Sequence, residues 1–234
     1  MHSNSYHVIY AAVMTVIVAV LLSLAAVGLK PFKDKNIALE KKTNILTCVL
    51  GTGISDKEDV EIETTYGKRI SEAVVNSNGE AIAGVAAFDV DILKEVKKPI
   101  AERMLPLYTY KNDDGSTYYI MPVVGNGLWG PIWGFVALQE DFNTVVGASF
   151  GHKGETPGLG AEITTGWFTD QFKGEKLLNK GGEYALRILK GRGNAKADQP
   201  NFVDGVSGAT VTTNGADEML LNGYQNYKTY FQSL

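Results

Sequence analysis

Asp204-Gly205-Val206-Ser207-Gly208-Ala209-Thr210-Val211-Thr212-Thr213 reads as a tight turn that feeds a helix. Four hydroxyl residues fall between Ser207 and Thr213, and Gly205 and Gly208 let the backbone bend sharply. Behind the turn, Ala216, Met219, Leu220, Gly223, Tyr224, Tyr227 and Phe231 recur at three- and four-residue spacing, the signature of one apolar helix face. A helix N-terminus offers unpaired N–H groups and a positive dipole end, which suit a phosphate. On residue types alone, an ordinary Thr or Asn cap on a C-terminal helix is the favoured reading.

Composition narrows the function classes. The chain has 234 residues, 44% hydrophobic and 21% charged, which accommodates one globular domain and an additional segment. A net charge of −4, with no basic run interleaved with aromatics, argues against a nucleic-acid partner. Cys48 is the only cysteine, and His152 is the only histidine beyond residue 7. No disulfide can form within the chain, and no metal site of cysteine or histidine type is expected.

Residues 1–7 form a polar tail, and residues 8–29 then run without a charge. At about 1.5 Å per residue that run crosses a hydrocarbon core of about 30 Å. It is too long for a signal-peptide core and lacks a basic flank, so it reads as a single uncleaved anchor. Residues 30–234 form the domain, with helical patterns over 36–50 and 56–76. From Leu105 the texture becomes strand-like. Leu107 to Tyr110 and Tyr118 to Met121 flank the turn signal Asn112-Asp113-Asp114-Gly115. Further strands are expected over 132–138, 144–150 and 186–190, with a short aromatic helix over 162–172 and a polar connector over 195–201. The fold class is α+β: one membrane helix, then a twisted, mostly antiparallel sheet flanked by helices.

A second glycine-rich stretch is Gly151-His152-Lys153-Gly154-Glu155-Thr156-Pro157-Gly158-Leu159-Gly160. It matches neither a P-loop nor a dinucleotide fingerprint. The pattern Asp-x-x-Ser-Gly-Ala-Thr over 204–210 resembles the flavinylation motif of the FMN-binding domain family, and Glu-Thr-Pro-Gly-Leu-Gly over 155–160 resembles a second signature of that family. With the anchor, the whole chain is similar to the C subunits of sodium-translocating NADH:quinone oxidoreductases. The G subunits of Rnf-type ferredoxin:NAD oxidoreductases are cousins that share the motif. The alternative from another class is a membrane-anchored binding or assembly protein with no flavin.

The resemblance implies FMN joined to Thr210 by a phosphoester, with Asp204, Ser207, Gly208, Ala209, Val211 and Thr212 around the attachment point. It implies a ring pocket built by Glu155, Thr156, Pro157, Gly158, Leu159 and Gly160. Leu128 and Trp129 are candidates for the opposite wall, and Lys190 is a candidate counter-charge to the phosphate. No catalytic residue and no metal ligand is expected. The chain would relay electrons from NADH towards quinone, coupled to sodium export, beside other subunits of a membrane oxidoreductase. A separate flavin transferase would make the bond. The implied place is the bacterial inner membrane, with the domain on the periplasmic side. Lys30, Lys33 and Lys35 follow the span and no Lys or Arg precedes it, which by the positive-inside rule points the other way.

Overall fold

The computed structural model describes residues 3–195 and 201–233. Contacts divide the chain into two units, Met1–Lys41 and Lys42–Leu234. Helix α1, Asn4–Leu50, takes up nearly all of the first unit and enters the second. The helical pattern expected over 36–50 is therefore part of the same helix as the apolar run. Along that run large apolar side chains are exposed, among them Val8, Leu22 and Val27. A helical stretch whose apolar side chains are exposed all round suits a lipid environment.

In the second unit a 3₁₀ turn, Thr52–Asp56, leads to α2, Asp59–Arg69, and then to strand β1, Ile70–Val75. The helix expected over 56–76 thus stops at Arg69. The β-branched Ile70, Val74 and Val75 pair with the next strand instead, so the sheet overrides a helical period. The short helix α3, Ile92–Glu95, precedes strands β2 (Leu105–Lys111), β3 (Thr117–Asn126), β4 (Pro131–Leu138) and β5 (Val145–His152). These strands form an antiparallel sheet in the order β1-β2-β3-β4-β5. The turn signal at Asn112 to Gly115 joins β2 to β3, as expected. The aromatic stretch over 162–172 is not one helix. It breaks into 3₁₀ turns around the short helix α4, Gly166–Thr169, with Ile163, Phe168 and Phe172 buried. Strands β6 (Arg187–Leu189) and β7 (Phe202–Asp204) pair in parallel. The connector expected over 195–201 lies mostly outside the described residues. The C-terminal helix α5 is Thr210–Ser233.

Both faces of the sheet are covered. On one, Met219, Leu220, Tyr224, Tyr227 and Phe231 of α5 enter the core. Close approach is possible because Gly215 and Gly223 carry no side chain: a Cβ there would collide with Asn126 O and Val123 Cγ1. The Tyr227 hydroxyl, buried at the core, donates to Pro106 O at 2.7 Å. On the other face the end of α1 packs on β5. Ser149 Oγ donates to Asn44 O at 2.7 Å, and a Cβ at Gly147 would lie 2.5 Å from Cys48 O. Burial on two faces explains why β4 is buried continuously from Gly134 to Leu138 instead of alternating. Cys48 itself is 1% exposed and donates its thiol to Ile45 O, and burial pushes that thiol far above its usual range. It is therefore closed to thiol reagents in the folded chain.

Candidate functional site

The motif closes the step from β7 to α5. Gly208 has φ +80, a conformation that a side chain disfavours, and a Cβ there would also lie 3.0 Å from Leu159 Cδ2. Gly205 is buried, and its N–H donates to Leu189 O. Thr210 is the first residue of α5, so the motif ends where the helix begins and its first-turn N–H groups have no helical acceptor.

The four hydroxyls have different fates. Ser207 is exposed, and its Oγ accepts the Arg192 N–H at 3.3 Å. Thr212 is buried and donates to Glu155 Oε2 at 2.6 Å. Thr213 is buried, and its Oγ1 accepts the Val206 N–H at 3.2 Å. Thr210 is half-buried, and its hydroxyl alone of the four makes no hydrogen bond among the described residues.

Asp204 acts on a neighbouring loop. Its carboxylate accepts the N–H groups of Gly193, Asn194 and Ala195, each at 2.7 Å. Burial works to raise its pKa, but those three bonds outweigh it and hold the carboxyl below the usual carboxylate range. The loop so fixed carries Arg192, whose guanidinium lies 3.7 Å from the ring centroid of Trp167. Trp167, expected inside the aromatic helix, is 37% exposed.

The glycine-rich loop meets the motif. Gly158 has φ +74, and the N–H groups of Leu159 and Ala161 both donate to Thr156 O at 3.1 Å, a compact turn. The result is a cleft of about 160 Å³ lined by Leu128, Glu155, Thr156, Leu159 and Gly160 together with Gly208 to Thr212. Leu128, Trp129, Leu159 and Val211 are all exposed apolar residues around it. Trp129 does not line the cleft, but its backbone N–H donates to Glu155 Oε1 at 2.7 Å. Pro157 and Gly158 are exposed in the turn, and Lys190, Asp204 and Ser207 lie outside the cleft wall. Lys190 is exposed, and its carbonyl accepts the Asn194 side-chain amide. A larger groove of about 560 Å³, between residues 92–103, β3 and α5, contains none of these residues.

Sequence reasoning missed the side-chain role of Glu155. It also missed Gly127, where a Cβ would lie 2.6 Å from Glu155 Oε1. No local signal marks either, because the partners come from segments far apart in the chain.

A free hydroxyl at a helix N-terminus, beside an apolar cleft and an exposed apolar rim, suits a phosphate ester bearing a flat apolar ring. Fold and site define an FMN-binding domain, and the model of the family described as "FMN-binding domain" matches residues 127–225. The chain is 35% identical to the Na(+)-translocating NADH-quinone reductase C subunit of Haemophilus ducreyi, covering 94% of this chain and 91% of that one. It is 33% identical to its counterpart in Neisseria meningitidis serogroup B, over 99% and 95%. Among solved structures, the Na(+)-translocating NADH-quinone reductase C subunit from Parabacteroides distasonis aligns with TM-score 0.76 and 36% identity, over 88% of this chain and 98% of that one. NqrC of Shewanella oneidensis aligns with TM-score 0.73 and 26% identity, over 83% and 95%. The chain belongs to the family of C subunits of the Na(+)-translocating NADH-quinone reductases.

Proposed function

We propose that this chain is the membrane-anchored FMN subunit of a sodium-translocating NADH:quinone oxidoreductase, with FMN esterified to Thr210. The carrying observation is the Thr210 hydroxyl, uncommitted and half-buried at the start of α5 on the wall of the cleft. The first-turn N–H groups of α5 stabilise the remaining negative charge of the diester. Leu159, Leu128 and Val211 give the ring an apolar bed, and Gly208 lets Leu159 approach the attachment turn. FMN bound there supplies the capacity to take up and pass on electrons from NADH towards quinone. The family membership supports the sodium-exporting complex over the Rnf-type one. The partners are then the other subunits of that complex and a flavin transferase, which needs the Thr210 hydroxyl accessible. Residues 8–29 hold the chain in the inner membrane, with residues 30–234 as the FMN-binding domain on the periplasmic side.

Substitution at the motif separates chemistry from structure. Thr210→Ala removes the esterified oxygen, and covalent flavin fluorescence in a denaturing gel is expected to vanish. Thr210→Ser keeps the oxygen and should retain part of the signal. Thr213→Ala loses one hydrogen bond, worth about 1 kcal/mol, and should keep the flavin. Fluorescence that survives Thr210→Ala would overturn the assignment.

A further inference from the structure

The geometry points to Glu155 as a positioning residue for the flavin: its carboxylate ties the turn of Leu128 and Trp129 to the first turn of α5, and a carboxylate in place of a neutral amide keeps the ring's reduction potential low. This rests on the FMN reading above. Glu155 is 4% exposed and lines the cleft. One oxygen accepts the Trp129 N–H at 2.7 Å and the other the Thr212 hydroxyl at 2.6 Å. Its own N–H donates to His152 Nδ1 at 3.1 Å, which fixes the loop from behind.

Two glycines make room for this group. A Cβ at Gly127 would lie 2.6 Å from Oε1, and one at Gly160 would collide with Oε2 and sit 2.7 Å from the Thr212 hydroxyl oxygen. Glycine at these positions therefore serves a carboxylate, whereas Gly154 and Gly158 have open space.

A carboxylate at this position needs its own explanation. Among the described residues no Lys, Arg or His forms an ion pair with Glu155. Burying a carboxyl group on two hydrogen bonds is costly. Glutamine has the same shape and would make both contacts, with its oxygen accepting from Trp129 and its amide donating to Thr212. What glutamine lacks is the charge. Each reduction step adds one electron to the ring, supplied by the donor in the complex, and a nearby buried anion opposes that gain in a low-dielectric cleft. The carboxylate forms and breaks no bond.

The test uses the full chain, co-expressed with its flavin transferase and extracted in detergent, as wild type, Glu155→Gln, Glu155→Ala and Thr212→Val. Covalent load is read by gel fluorescence, ring geometry by visible circular dichroism, and midpoint potential by dithionite titration against indicator dyes. Glu155→Gln should keep load and dichroism while its potential rises, on the order of tenfold in the one-electron equilibrium constant, which is about 59 mV. Glu155→Ala and Thr212→Val should lose dichroism amplitude, because the two walls are no longer tied. An unchanged potential in Glu155→Gln overturns the electrostatic role. Wild-type dichroism in Thr212→Val overturns the positioning role even where Glu155→Ala fails to fold. Wild-type protein without covalent flavin removes the FMN reading and this inference with it. Flavin-loaded wild type with indifferent variants removes this inference alone.

Discussion

Thr210, Thr212 and Thr213 are the same residue type within four positions, and what distinguishes them is how each hydroxyl is engaged. Two are consumed inside the protein and one is left at the cleft. Asp204 is engaged in the same way: its carboxylate is occupied with three backbone N–H groups. Its folded-state pKa is depressed, so the stability it contributes is present above the unfolded carboxylate value and lost as pH falls through the folded one. Asp204→Asn is therefore expected to cost about 1–2 kcal/mol at pH 7, at the low end because the group is partly in water. The gap to wild type should narrow as pH drops below about 4. Urea unfolding of both proteins at pH 7 and near pH 2.5 checks this, and a gap that does not change with pH would assign the loss to shape.

At the scale of elements, the end of α1 belongs to the domain it precedes. Ile45 and Leu46 are fully buried, and Ser149 is tied to Asn44. A fragment 33–234 keeps this cover and is expected to stay folded without detergent. A fragment 51–234 exposes the face of β5 and loses two buried aliphatic side chains, worth about 4 kcal/mol together. It should unfold at markedly lower urea or aggregate. Equal urea midpoints for the two fragments would show that α1 contributes nothing to the sheet.

At the scale of the molecule, the sequence was most legible where a feature is local. An uncharged run marks the long apolar helix, Asn112 to Gly115 marks the hairpin, and two glycine motifs mark the cleft. Features made by distant segments were not legible. The end of the helix at Arg69 depends on β2 as a partner, and the tie from Glu155 to Thr212 joins residues 57 apart in the chain. Sidedness is also a property of the whole molecule. Buried Cys48 cannot report it, but cysteines placed at exposed Asn4 and Val60 can. With the domain outside, Val60→Cys labels in intact cells with an impermeant reagent, and Asn4→Cys labels only in broken membranes. The reverse pattern would follow the lysines at residues 30, 33 and 35 instead.

The position of α5 also sets a timetable. It is the last described element to leave the ribosome, and its far turns, at Tyr224, Tyr227 and Phe231, are buried in the core. On the reading proposed above, Thr210 should carry flavin only after those turns are made and packed in the core. A chain stopped at Leu221 is expected to stay dark in the fluorescent gel, whereas flavin on it would show that the transferase reads the motif without waiting for the fold.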